Sequence, residues 1–357
     1  MSSSIFEIKE HTVECQHIRE YTRATADSQE AVLHLAVKQY TPLDNLKPQS
    51  GDVTIIGAHA NGFPKATLSK FIHELVLIVI RNYMSPFGTT YTHRLNGVLN
   101  EQLLGDDPSW FDHSRDLLHM INIHRASMPM PILGMGHSFG GNILCNLAFM
   151  HPRLLSTVIL MDPVIQQHAS APKGPSPARS SAFRRDLWPS REEAIAAFRK
   201  SKFYSTWDPR VFDRWCKYGI RETPTNIYPN EKGAVTLTTT KNHECFTFMR
   251  PSWEGVAPDG ATVLRRELVP DWSTTHVVRV KEVLLEEVGH LVAMEASEKC
   301  AKAAAEWLGQ ETKRFEAERK EYEEWTKRPL VEKQTLSEEW KRHIGGPPER
   351  TAPKSKI

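Results

Sequence analysis

The stretch Gly136-His137-Ser138-Phe139-Gly140-Gly141 constrains this chain more than any other. Before it, Met130 to Met135 reads as a buried strand, and from Ser138 to Met150 the residues read as a helix. A serine on so tight a strand-to-helix turn occupies strained backbone space. Glycines on either side let strand and helix approach without Cβ clashes. The G-x-S-x-G spacing in that context points to a nucleophile exposed at the edge of a sheet.

The same alternation extends on both sides. Asp52 to Ala58 is a β-branched and apolar run, and Pro64 to Tyr83 carries Leu68, Phe71, Ile72, Leu75, Ile78 and Val79 at helical spacing. Phe111 to His124 reads as a helix and Leu155 to Met161 as a strand. Alternating strands and helices imply an α/β fold, a mostly parallel sheet flanked by helices, because parallel neighbours need a crossover. From Pro163 to about Thr240 the alternation stops, and an inserted helical cap is expected. Within it Ala194, Ile195, Phe198 and Phe203 form an apolar face opposite Arg191, Glu192, Glu193, Arg199 and Lys200. Val277 to Val288 is predicted to be the final strand and Leu291 to Leu308 the final core helix. The expected division is therefore core at 1–164 and 246–310, cap at 165–245, and a charged helical extension at 311–357.

Composition removes several classes of function. A 40% hydrophobic, 25% charged chain of 357 residues can bury a full core, and a net charge of +2 leaves no footprint for nucleic acid. The five cysteines lack disulfide or zinc spacing, which suits a reducing compartment. No metal or redox cofactor is required. The first ten residues lack the pattern of a signal peptide. The longest apolar run, Phe71 to Ile80, is interrupted by His73 and Glu74, so no membrane span is expected. Ser355-Lys356-Ile357 differs from the Ser-Lys-Leu peroxisomal address only at its last residue and is expected to engage the import receptor. Oligomeric state is left open, with room for a homo-oligomer.

A serine at neutral pH needs a base within hydrogen-bond reach, itself oriented by a carboxylate. Of the sixteen histidines, His290 has the right context, in Val288-Gly289-His290 after the last predicted strand and before a helix. His59 and His137 are rivals embedded in turn motifs. Asp162, directly after Leu155 to Met161, is the preferred acid, with Asp271 the choice if the acid follows a later strand. Phe139 and either Ala60 or Asn61 are the expected backbone donors to a developing oxyanion.

These residues together resemble the α/β-hydrolase superfamily. In detail, His59-Ala60-Asn61-Gly62-Phe63-Pro64-Lys65, the Gly-His-Ser turn, Met161-Asp162-Pro163, Arg184-Arg185-Asp186-Leu187-Trp188-Pro189-Ser190, Phe203-Tyr204 to Trp207-Asp208 and Val288-Gly289-His290-Leu291 resemble one fungal branch. It holds the AK-toxin biosynthesis proteins and the peroxisomal acyl-CoA hydrolase of mycophenolic acid biosynthesis. The resemblance covers roughly residues 50 to 310. It implies a serine hydrolase acting on an acyl-CoA thioester, with the acid after the strand that follows the nucleophile. Cap arginines Arg179, Arg184, Arg185 and Arg191 are candidates to meet CoA phosphates, with surface solvation the plainer role. A carboxylesterase or lipase would use the same triad, and a non-catalytic binding protein would keep the fold alone. One departure is visible: Trp253 to Trp272 is short and weakly apolar where the family carries a clear strand and loop.

Overall fold

The computed structural model describes residues 5–15, 22–28, 30–68, 72, 75, 87–95, 100–107, 109–165, 176–249 and 280–345, with the backbone alone for 87–95 and 343. Trp253 to Trp272, Asp271 and Ser355-Lys356-Ile357 lie outside the described residues, as does most of Pro64 to Tyr83.

Six strands form the central sheet: β1 (Phe6–Glu14), β2 (His34–Pro42), β3 (Val53–Ala58), β4 (Phe87–Leu95), β5 (Ile132–His137) and β6 (Thr157–Met161), in the order β1-β2-β4-β3-β5-β6. Strands β4, β3, β5 and β6 are parallel, while β1 and β2 close one side antiparallel. Successive residues of a strand face opposite sides, and the core divides accordingly. Ile56 and Ile132 pack with Leu117, Met120 and Ile121 of α1 (Trp110–His124) and with Ile143, Leu144 and Leu147 of α2 (Phe139–Met150). Their neighbours Ile55 and Leu133 point the other way, into a second cluster with Ala301, Ala304, Ala305 and Leu308.

The inserted segment 176–249 joins that second cluster. It comprises helices α3 (Pro177–Phe183), α4 (Arg191–Lys200), α5 (Pro209–Tyr218) and α6 (Lys241–Phe248). Among them lies a small antiparallel sheet of β7 (Leu187–Trp188), β9 (Val235–Leu237) and β8 (Ile220–Glu222) that sequence periodicity did not disclose. Ser176, Ser190, Asp208 and Thr240 cap the four helices through their side-chain oxygens. Ala194 and Phe198 of α4 are buried and Ile195 packs against them, but α4 ends at Lys200. Phe203 lies beyond it and is exposed, contrary to the expected face.

Two further expectations are corrected at the C-terminal side. Among the described residues of Val277 to Val288, none from 280 on is in a strand: Val280, Val283 and Leu284 are exposed, and only Leu285 packs against the core. The predicted helix Leu291 to Leu308 divides at Ala296 into a short α7 (Val292–Glu295) and a thirty-residue α8 (Ser297–Thr326). α8 passes residue 310 unbroken. Its first half is buried, with Trp307 Nε1 donating to Thr157 Oγ1 at 3.0 Å and Arg314 to the Ser156 carbonyl at 3.2 Å. Two short helices, α9 (Leu330–Gln334) and α10 (Glu338–His343), follow.

Packing is close where α2 meets the sheet. A Cβ at Gly140 would stand 2.3 Å from the Ala58 carbonyl oxygen, and one at Gly136 would stand 2.6 Å from the Gly140 oxygen. Both obstacles are backbone and cannot rotate aside. Gly140→Ala is therefore expected to destabilise the chain by at least about 2 kcal/mol in urea unfolding, through overpacking; a wild-type midpoint would mean that the turn is looser than described.

Candidate active site

Ser138 sits between β5 and α2 with φ 54° and ψ −119°, a region that non-glycine residues adopt only when their surroundings enforce it. The enforcement is visible. Its N–H donates to the Met161 carbonyl at 3.0 Å, and its own carbonyl accepts from Gly141 at 3.0 Å and Val164 at 3.1 Å. The turn after β5 is thereby tied to the end of β6. Because His137 lies opposite Met161 in the parallel register, the next residue of each strand, Ser138 and Asp162, leaves the same sheet edge. Asp162 also has a positive φ, 41°, which turns it out of the strand line.

The imidazole of His290 bridges the two. Its Nε2 is 2.9 Å from Ser138 Oγ and its Nδ1 is 2.6 Å from Asp162 Oδ2. A carboxylate only accepts, which assigns the proton to Nδ1 and leaves the Nε2 lone pair facing the serine hydroxyl. The three groups come from residues separated by 152 and 128 positions in the chain. His290 reaches them from a turn rather than from a strand end.

Beside this chain of bonds lies the loop after β3. Its glycine, Gly62, has φ 82°, and a Cβ there would stand 2.7 Å from the carboxyl carbon of Glu244. The Asn61 side-chain amide donates to the Glu244 carbonyl at 3.0 Å, and the Phe63 N–H to the Ala60 carbonyl at 3.3 Å. The close approach of Gly140 to Ala58 brings the first turn of α2, with Phe139, against this loop. N–H groups of a helix's first turn lack partners within the helix, which leaves Phe139 suited to donate outward.

The rivals take other positions. His59 Nδ1 donates to the Ala60 carbonyl at 2.8 Å. His137, wholly buried, donates from Nε2 to the His290 carbonyl at 2.8 Å, and burial pushes its pKa down to about 4. Burial pushes the thiol of Cys145 up to about 12 and those of Cys216 and Cys300 up to about 11.

Most of the candidate phosphate-binding arginines are engaged within the inserted segment. Arg184 pairs with buried Glu244, which also accepts from Ser181 Oγ at 2.7 Å. Burial pushes the Glu244 carboxyl upward, and Arg184 and Ser181 oppose the shift. Arg185 donates to the Leu187 carbonyl and lies over Trp188, and Arg191 binds the Cys216 and Ile220 carbonyls and Glu222. For Arg179, the backbone N–H bonds the Ser176 cap. Glu244 and Glu295 escaped the sequence reading, since neither belongs to a motif whose chemistry marks a carboxylate.

The architecture is that of the α/β-hydrolases. A solved peroxisomal α/β-hydrolase of Saccharomyces cerevisiae matches 95% of each chain with TM-score 0.66 at 15% identity. An E-2-(acetamidomethylene)succinate hydrolase matches 85% of this chain and 99% of its own with TM-score 0.50 at 14% identity. No family model matches the chain. In sequence it is 39% identical over 280 residues to a type I acyl-CoA thioesterase of Penicillium roqueforti, covering 72% of this chain and 64% of that protein. A type I acyl-CoA thioesterase of Penicillium brevicompactum gives the same identity and coverage. An abhydrolase domain-containing protein of Alternaria alternata is 28% identical over 223 residues, covering 51% of this chain and 84% of that protein. The chain is thus an α/β-hydrolase-fold protein with fungal thioesterase-named homologues, and it spans about 64% of the length of the thioesterases it matches.

Neutral His137 has a measurable consequence. The folded state holds it unprotonated down to a pKa of about 4, against 6.5 for the free side chain. Between those values the unfolded chain binds the extra proton, so this contribution to stability is complete above pH 6.5 and is lost as pH falls toward 4. His137→Gln is expected to flatten the fall of unfolding free energy over that window by up to one proton's slope. An unchanged slope would mean that His137 titrates normally in the folded protein.

Proposed function

We propose that the chain is a serine hydrolase that cleaves acyl-CoA thioesters through an acyl-enzyme, with Ser138 as nucleophile, His290 as general base and Asp162 as its orienting carboxylate. The observation that carries the reading is the continuous chain of hydrogen bonds from Asp162 through His290 to Ser138, at 2.6 and 2.9 Å. Thioester specificity rests on likeness to the thioesterase-named relatives, and a role in fungal secondary metabolism on resemblance in the His59–Lys65 and Arg184–Ser190 motifs.

In this mechanism Ser138 Oγ attacks the thioester carbonyl carbon as Nε2 of His290 accepts the hydroxyl proton. The imidazolium that forms is stabilised by Asp162. Backbone N–H groups of Phe139 and of Ala60 or Asn61 receive the oxyanion, each worth roughly 10² to 10³ in rate by comparison with known donors. Collapse breaks the C–S bond, and His290 returns its proton to the departing CoA sulfur. Water, deprotonated by the same imidazole, then attacks the acyl-serine and releases the free acid, restoring Ser138.

The inserted segment serves as a cap in this reading. Phe63, on the oxyanion loop, packs against Trp207 and Trp215 at ring-centroid distances of 5.6 and 5.8 Å. Trp207 and Trp215 are themselves buried in the core, so these contacts seat the inserted segment on the loop.

The test is release of CoA thiol from a panel of acyl-CoAs by the full chain, with p-nitrophenyl esters in parallel. Turnover of acyl-CoA is expected to vanish in Ser138→Ala and to fall by about 10⁴-fold in Asp162→Asn, whose amide favours the wrong imidazole tautomer. Activity on esters alone would replace the thioesterase with a carboxylesterase using the same residues. Inactivity of folded protein on both panels would favour a non-catalytic role.

A further inference from the structure

His290 has to hold two hydrogen bonds in line, yet the segment leading to it has no strand to fix it. Residues 280–288 are irregular, and Glu287 has a positive φ of 60° just before the site. What holds the backbone there is a pair of side chains. From below, buried His137 donates Nε2–H to the His290 carbonyl at 2.8 Å, with the two rings 5.6 Å apart and tilted by 41°. From the other side, the Gly289 N–H donates to Glu295 Oε2 at 3.0 Å. The fit at Gly289 is close, because a Cβ there would stand 3.3 Å from Glu295 Oε1.

Packing alone does not account for a histidine at position 137. The ring is fully buried, and its Nδ1 has no hydrogen-bond partner among the described residues. A leucine would fill the space without a desolvated polar atom. Among the described residues the ring's one hydrogen bond is to the His290 carbonyl, and since a carbonyl only accepts, the proton of that bond is on Nε2. Burial keeps the ring neutral, so the bond persists across the physiological range. Glu295 complements it: α7 is only one turn long, and its carboxylate turns back on the residue before the histidine.

We propose that His137 and Glu295 are positioning residues that clamp the backbone of residues 289–290 from two sides, in place of strand pairing, and so set how readily His290 activates Ser138. This rests on the proposed serine hydrolase reading and adds two residues to it, neither of which touches the substrate. It explains why a histidine precedes the nucleophile in this chain.

The test is the second-order rate constant for labelling of Ser138 by a fluorophosphonate, which needs the serine and its base but no knowledge of the natural substrate. Full-length wild type, His137→Leu, His137→Gln, Glu295→Ala and His290→Ala would be compared, with thermal unfolding measured on each. His137→Leu is expected to slow labelling by roughly tenfold or more, since small displacements of a base carry large rate effects. His137→Gln, whose amide still donates, is expected to recover most of the rate. Glu295→Ala is expected to slow labelling by about threefold to tenfold, by the same argument. A purely structural role would move melting temperature and labelling together and would not distinguish glutamine from leucine. Wild-type labelling rates in folded His137→Leu and Glu295→Ala would overturn the clamp. If His137→Leu does not fold, Glu295→Ala at a half-buried position decides alone. Wild type labelled no faster than His290→Ala would sink the serine hydrolase reading, and the clamp with it.

Discussion

Helix α2 starts closer to the sheet than any side chain would permit, and the geometry of the site follows from that contact. Gly136 and Gly140 let the first turn of the helix lie against the ends of β3 and β5, and Gly141 comes equally near Pro163, where a Cβ would meet that ring at 2.7 Å. The turn between them has nowhere to go except through the positive φ of Ser138. Strain of this kind costs on the order of 1–3 kcal/mol and persists only when surrounding bonds over-determine it. Here they do, through Met161, Gly141 and Val164. Those bonds also tie Ser138 to the strand that delivers Asp162, so the two side chains are placed by one piece of backbone.

That dependence explains what was legible in the sequence. The β3, β5 and β6 strands with α1 and α2 were readable because each is buried on one or both faces and therefore keeps its period. Ser138 and Asp162 were readable as candidates because each stands where β5 or β6 stops, whereas His290 was singled out by an expected strand that the described residues 280–288 do not form. The antiparallel strands β1 and β2 were not, since β1 mixes charges with half-buried residues, as edge strands do. The cap's small sheet was equally hidden, its strands being only two or three residues long. Val277 to Val288 misled in the opposite direction. Its valines and leucines suggested burial, but Glu282, Glu286 and Glu287 fall where a second face would have to be dry, and the described part is irregular and mostly exposed, with Leu285 alone packed on the core.

Long-range polar contacts were beyond reach of any local pattern. Glu244 joins the loop after β3 to α3 and α6 through the Asn61 amide, Ser181 and Arg184, bringing together two of the motifs on which the family resemblance rested. A buried ion pair adds little net stability, but removing one partner strands the other in a dry site. The cluster links the loop beside Ser138 to the inserted segment. The clamp on His290 follows the same logic: where backbone pairing is missing, individual side chains hold the position.

The most direct test of the central claim is capture of the acyl-enzyme. Full-length protein mixed with an acyl-CoA, quenched in acid within milliseconds and analysed by intact-protein and peptide mass spectrometry, is predicted to gain the mass of one acyl group on the peptide carrying Ser138. The adduct should disappear in Ser138→Ala. CoA release without any protein adduct, or an adduct on one of the cysteines, would contradict the account.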